Sequence, residues 1–271
     1  MGTMGLLSAL QSSPTLDGSN IIGILPGSFW GTKKDRPLII GAHWDTVANS
    51  TGFNDNGSGV TIMLEIVRVL SQADCFNPDY TLFFVAFDAE EDGSFGSQEF
   101  LNKIFVPTLV RQGIRLQGAI ILDTLFNYDP SPGAQTVPEN WADIVPTATR
   151  NIAQNGYKGD FLAVIGRNHP EERKMSDLIH KWATLDGLKT QEFNLKKMPP
   201  YHEPSIDLLQ EHAYFWQSDN SRFWFYKEDN DFMSFPAVLL SDTGASCICT
   251  FLVQKFYPKM FVFSQLIIGV T

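Results

Sequence analysis

With 271 residues, 44% of them hydrophobic, the chain is long enough to bury one large core, or one domain carrying insertions. Its charged fraction of 18% lies below the usual roughly 25%, and 21 Phe and 6 Trp call for a buried interior or an aromatic pocket wall. Thirty acids against twenty bases leave a net charge of -10, which argues against nucleic acid or an anionic membrane as a partner.

Residues Met1 to Gln11 have no basic n-region and only a short apolar run, so they lack the marks of a signal peptide. Residues 1–19 are read as a poorly ordered N-terminal segment. A first strand is expected over Asn20–Leu25 and a buried one over Leu38–Ala42. Val60–Leu70 repeats apolar residues at helical spacing (Val60, Met63, Leu64, Val67, Leu70), and Tyr80–Asp88 reads as the next buried strand. Ser97–Phe105 looks helical, and Gly118–Leu122 is again a strand. The stretch 127–170 is richer in Pro and Gly and is expected to make excursions over a pocket, with at most a helix near Thr147–Asn155. Glu171–Leu185 reads as a helix, Pro199-Pro200 as a loop, and Ala237–Leu240 as the last strand. Strands alternating with helices indicate a mainly parallel, doubly wound α/β sheet.

The three cysteines, Cys75, Cys247 and Cys249, make neither a zinc ribbon nor a disulfide framework. From Ser246 to Thr271 there is no Asp or Glu, and Lys255, Pro258 and Lys259 interrupt this apolar tail. It therefore lacks the about 20 continuous apolar residues that span a bilayer, and no membrane anchor is expected.

Open α/β sheets bind ligands beyond the carboxyl ends of their strands. His43-Trp44-Asp45 follows the first buried strand, Glu90-Glu91 the second, Asp123 the third and Ser241-Asp242 the last. Asn54-Asp55-Asn56-Gly57-Ser58-Gly59 forms a turn leading into the first helix. Taken singly, each has an ordinary reading: a hydrogen-bonded histidine, a turn aspartate, a solvated acidic pair, a cap. At one sheet edge together they make a nitrogen and oxygen donor set suited to zinc. A carboxylate with two oxygens can bridge two ions, Asp45 stands close enough to orient the His43 imidazole, and of Glu90-Glu91 one can bind metal while its neighbour acts as general base. His169, His180, His202 and His212 lie in polar or loop-like contexts and are read as structural or exposed. Asn49-Ser50-Thr51 is a glycosylation sequon if the chain is secreted.

Gly41-Ala42-His43-Trp44-Asp45-Thr46, then Gly52-Phe53-Asn54-Asp55-Asn56-Gly57-Ser58-Gly59, then Phe84-Val85-Ala86-Phe87-Asp88-Ala89-Glu90-Glu91 with Gly93 and Gly96-Ser97 resemble the di-zinc aminopeptidase family. That family includes plasma glutamate carboxypeptidase and, more distantly, glutaminyl cyclase and the transferrin receptor ectodomain. The similarity runs from about Asn20 to Ala245, giving a metallopeptidase domain over 20–245 and an atypical tail over 246–271. The resemblance implies a three-layer α/β/α fold with a mixed, mostly parallel central sheet, and a zinc-dependent exopeptidase acting on a peptide substrate. It also implies His43 and Asp123 on the first zinc, Asp55 bridging both, Glu91 on the second, Glu90 as general base and Asp45 steering His43. Ser218-Asp219 followed by Phe223 resembles a family segment near the substrate pocket. A secreted or lumenal location goes with the family, although no leader is read here.

The match stops after Ser241-Asp242-Thr243-Gly244-Ala245. The family supplies its last zinc ligand there, a histidine in a Tyr-His context, and here no histidine follows His212. The second zinc would keep Asp55 and Glu91 alone, with Cys247, Cys249, His202 or His212 as conceivable substitutes, and an alternative C-terminus is the expectation that the acid-free tail raises. Two rival readings follow: a catalytically inactive binding module of the same fold, and a single-zinc acyltransferase resembling glutaminyl cyclase.

Overall fold

The computed structural model describes residues 6–14, 16, 18–73 and 76–242. In chain order the strands are β1 (Leu7–Ser12), β2 (Ser19–Leu25), β3 (Leu38–His43), β4 (Leu82–Phe87), β5 (Gly118–Leu122), β6 (Leu162–Arg167), β7 (Thr190–Leu195), β8 (Tyr226–Glu228), β9 (Asp231–Met233) and β10 (Ala237–Ser241). Eight of them form one sheet in the order β1-β2-β4-β3-β5-β10-β6-β7, while β8 and β9 pair with each other. The centre β4-β3-β5-β10 is parallel, β6 and β7 run against it, and β2 joins β4 antiparallel. The sheet is therefore mixed and mostly parallel.

Five helices carry the scaffold: α1 (Gly57–Gln72), α2 (Phe95–Phe100), α3 (Pro146–Gln154), α4 (Pro170–Leu185) and α5 (Asn220–Trp224). Side chains alternate across a strand, so β3 feeds both layers. Leu38, Ile40 and Ala42 join Ile62 and Ile66 of α1 and Ile179 of α4 on one face. Ile39 faces Phe100 of α2, Ile152 of α3 and Trp224 of α5 on the other. Strands covered on both faces are apolar throughout, and β3, β4 and β5 are buried at every residue.

The structure corrects several details of the sequence reading. The buried stripe of α1 is Ile62, Met63, Ile66 and Leu70, while Leu64 is 59% exposed; the Ile62–Ile66–Leu70 spacing of four turns the helix away from the stripe read through Leu64. The 127–170 stretch holds more than one helix: Trp141–Ile144 precedes α3, and β6 begins at Leu162. Ser97–Phe105 divides into the end of α2 and a π-helical turn at Leu101–Phe105. A strand, β1, stands at Leu7–Ser12 where the sequence reading places no element, paired edge to edge with β2. Among the described residues no helix is long and apolar enough to cross a membrane. The tail 246–271, with Cys247 and Cys249, lies outside the described residues, as does Cys75.

Candidate metal centre

The parallel strands β3, β4 and β5 end side by side, and each delivers its polar residue to the same edge. His43 is the last residue of β3 and is 1% exposed. Asp123 follows β5 directly, its N–H donating to Leu240 O at 3.0 Å. Asp55 stands just before α1, beside Asn56, which caps that helix by accepting the Gly59 N–H at 3.0 Å. The Asn56 side chain also donates to Leu122 O at 2.8 Å and accepts the Thr124 N–H at 3.2 Å. One buried amide thus locks the start of α1 to the end of β5, and with it Asp55 to Asp123. The fit is close: a Cβ on Gly59 would sit 2.4 Å from Leu122 O, which explains a glycine there.

Beyond β4 the chain reverses through Ala89, whose φ of +52° lies in the left-handed region, and presents Glu90 and Glu91. Asp45 holds that turn. Its two carboxylate oxygens accept the N–H groups of Glu90 and Glu91, each at 3.0 Å. Gly96, where α2 begins, lets the backbone pass Asp88 so closely that a Cβ would lie 2.1 Å from Asp88 O.

The imidazole is the hub. Its Nδ1 lies 3.4 Å from Asp45 Oδ1, and its Nε2 lies 3.2 Å from Asp55 Oδ1, 3.5 Å from Asp123 Oδ1 and 3.9 Å from Glu90 Oε2. One donor atom each from His43, Asp55 and Asp123 falls within a 4.8 Å cluster. Burial disfavours a charged His43, but the carboxylates of Asp123, Asp45 and Asp55 prevail and hold its pKa far above the ordinary 6.5. Burial opposes ionisation of Asp45 too, yet His43 and the two N–H groups keep its pKa below the ordinary 3.8. Glu90 is pushed up to about 9, first by burial and then by the charge of Asp219. Burial followed by the charge of Asp55 also raises Glu91.

So many carboxylates around one imidazole form a donor set for a cation. Asp123 Oδ1 and Glu91 Oε1 are buried without a hydrogen-bond donor, which in water-free surroundings is costly. The donor types, one imidazole and several carboxylates, fit a divalent ion of the zinc kind.

Residues 20–159 match Peptidase family M28. The chain belongs to that family. Among its relatives, the uncharacterised protein YfbL of Escherichia coli (strain K12) is 29% identical over 223 residues, which take in 78% of this chain and 57% of YfbL. Aminopeptidase YwaD of Bacillus subtilis (strain 168) is 38% identical over 105 residues, 39% of this chain and 22% of YwaD. The LapA aminopeptidase of Legionella pneumophila superposes with a TM-score of 0.59 at 14% identity, over 98% of this chain and 58% of LapA. BSAP, a zinc aminopeptidase from Bacillus subtilis, gives 0.56 at 19% identity, over 93% of this chain and 50% of BSAP. These two structural likenesses bear on the fold. The M28 chain described here thus spans between 22% and 58% of the length of these four proteins.

Other polar residues of the M28 domain sort themselves by geometry. Asp242, at the end of β10, stays out of the donor cluster and clasps loops: its Oδ2 accepts the Asn127 N–H at 2.7 Å and the Asn54 side-chain amide at 3.2 Å. The remaining four histidines stand elsewhere: His169 Nδ1 accepts the Glu171 N–H, His180 Nδ1 meets Thr190 Oγ1, His212 Nδ1 meets Leu208 O, and His202 is exposed. Ser218 and Asp219, which resemble a family segment near the substrate pocket, lie just before α5. Asp219 is fully buried, is pushed up to about 7 by that burial, and neither of its oxygens meets a donor among the described residues. The charge of His43 and the Ser97 side chain work against that rise, the Ser97 hydroxyl also donating to Ser94 O at 3.1 Å. Asp219 comes within reach of Glu90 through its charge because α5 packs on β4 through Phe223, whose ring lies 6.4 Å from that of Phe87. Only the fold reveals that adjacency.

Proposed function

We propose that the chain is the metal-binding domain of a zinc-dependent exopeptidase of the aminopeptidase type. The observation that carries this reading is His43 Nε2 within 3.2–3.5 Å of both Asp55 and Asp123. In this reading His43, Asp55 and Asp123 would hold one zinc ion, and Asp55 and Glu91 would contribute to a second. A zinc ion bound there supplies the Lewis acidity that polarises a peptide carbonyl and makes water a nucleophile near neutral pH.

The protein's own residues do the rest. Asp45 fixes the His43 ring through Nδ1 and holds the turn that aims Glu90. Glu90 takes the proton of the attacking water on a carboxylate oxygen and delivers it to the leaving amine nitrogen. The amine leaves as a neutral group, and the new carboxyl terminus departs. A peptide is the substrate class that Peptidase family M28 membership supports, and the sequence relative YwaD is an aminopeptidase.

A second reading is favoured by one feature of the sequence: no histidine follows His212. With Asp55 and Glu91 alone, the second ion is held by carboxylates only, and the domain then keeps one metal and serves as a binding module. Zinc analysis of the purified chain, paired with hydrolysis of chromogenic aminoacyl substrates, separates the two. Two zinc ions per chain, and turnover abolished by Glu90→Gln, support the exopeptidase. One ion and no turnover on any substrate sink it in favour of the module.

A further inference from the structure

Beside Glu90 and Glu91 opens a cleft of about 380 Å³, walled by Trp216 and Phe225 and bounded by Gln217 and Arg222. The aromatic walls are fixed. The Trp216 indole donates to Leu209 O at 3.0 Å, and its ring meets Phe225 edge to face at 6.1 Å. A side chain entering here from a residue held at Glu90 meets two ring faces and one guanidinium.

The guanidinium is the informative group. Arg222 lies on α5, three residues from Asp219, and is half-buried. One terminal nitrogen donates to Gly93 O, while Nε is buried without an acceptor. Arg36, Arg68, Arg111, Arg167 and Arg173 each hold a carboxylate at 2.5–3.0 Å. Among the described residues no carboxylate oxygen lies within 4.0 Å of an Arg222 nitrogen, although Glu90 and Asp219 are near enough to act on it through their charge. Withdrawing a guanidinium from water without a paired anion is costly, and its planar fork of N–H donors matches a carboxylate in two hydrogen bonds.

We propose that this cleft selects a terminal residue with an acidic side chain, its carboxylate paired with Arg222 and its methylenes lying against the wall that Trp216 and Phe225 form. The proposal rests on the exopeptidase reading for the identity of the site, and it deepens that reading by naming a substrate class. The site carboxylates repel an acidic side chain that has no cation to meet it, so Arg222 is what admits one. The same guanidinium disfavours lysyl and arginyl residues. A cleft defined by its aromatic walls alone would make no distinction between a glutamyl side chain and its neutral amide.

The test uses the full chain loaded with zinc and three probes: the α-amides of L-glutamate, L-glutamine and L-leucine. The amide cap removes the α-carboxylate, so the only acid in the set is the glutamyl side chain. Affinities are compared by calorimetry, or kcat/KM values if the amides are turned over. The glutamyl amide is expected to exceed the glutaminyl amide by about 10-fold or more, the worth of a charge-assisted hydrogen bond. That ratio should fall to near one in Arg222→Met and survive in part in Arg222→Lys. The leucyl amide serves in each variant as the internal reference for an intact site. A ratio near one in the wild type, a ratio unchanged by Arg222→Met, or no interaction of the glutamyl amide at any concentration overturns the proposal. Preference without turnover sinks the exopeptidase reading and leaves the acid-selective cleft standing.

Discussion

Asp45 accepts the backbone N–H of Glu90 on one carboxylate oxygen and that of Glu91 on the other, each at 3.0 Å. The same residue lies 3.4 Å from His43 Nδ1. It therefore ties the end of β3 to the turn after β4, and fixes the distance between a donor nitrogen and two glutamates. Asp45→Asn tests this arrangement, because an amide offers one accepting oxygen and turns its NH₂ toward the second N–H. Zinc affinity measured by chelator competition should fall about 10–100-fold, the usual cost of losing a partner that orients a ligand. An unchanged affinity would mean that the turn is held by other groups.

Asn56 makes three hydrogen bonds from a side chain that is 1% exposed: to Gly59 N–H, Thr124 N–H and Leu122 O. Asn56→Ala removes the α1 cap and strands those groups in the interior. Urea denaturation should register a loss of about 2–4 kcal/mol, the sum of a cap and of unsatisfied buried partners. Asn56→Asp keeps both acceptor roles but cannot donate to Leu122 O, so it should fall between the two. Equal stability of all three proteins would contradict the lock between α1 and β5.

Arg167 and Glu172 form an ion pair with both side chains at 0% exposure, at 2.6 Å. Burial raises the Glu172 pKa, and the neighbouring guanidinium works against that rise. Arg167 also donates to Phe235 O at 3.2 Å and lies 4.9 Å over the Trp224 ring, so it supports α5 from below. Glu172→Leu leaves a buried cation alone and should cost about 3–5 kcal/mol, whereas Arg167→Met with Glu172→Leu together should cost less than the single change. A double-mutant cycle by urea denaturation reads the coupling. Additive losses would show that the two residues act independently.

The strand ends were legible in the sequence, and the reason is local. His43, Asp55, Glu90, Glu91 and Asp123 each follow an apolar run or a turn signal that marks the end of an element, so their common edge could be inferred without any long-range contact. β7 was not legible, because Thr190, Gln191 and Glu192 are polar in succession and its buried face of Gln191, Phe193 and Leu195 begins on a polar residue. The apolar Leu162–Ile165 of β6 was hidden by the Pro and Gly around it. Asp219 and Arg222 belong to a different class. The resemblance brings Ser218-Asp219 and Phe223 toward the pocket, but that Asp219 and Arg222 come within reach of the Glu90 charge follows from Phe223 and Trp224 entering the core beside β4 and β10. Residues that act across the sheet are set by packing, and packing is what a single sequence leaves implicit.

His169 precedes α4 and caps it through a neutral ring: Nδ1 accepts the Glu171 N–H at 3.1 Å. A protonated imidazole cannot accept, and burial, with the Arg167 charge, lowers the His169 pKa below the ordinary 6.5. The sign follows directly. Above pH about 6.5 the ring is neutral in both folded and unfolded chains and contributes no pH dependence. As pH falls through that value the unfolded chain takes up a proton that the folded one refuses, so stability declines until the lowered folded pKa is passed. Urea midpoints compared between about pH 7.5 and about pH 5.5 should therefore drop in the wild type. Asn at this position caps a helix without titrating, so the drop should be smaller in His169→Asn. An equal drop in both proteins would assign the acid sensitivity to other groups, and would mean that the α4 cap does not depend on the protonation state of His169.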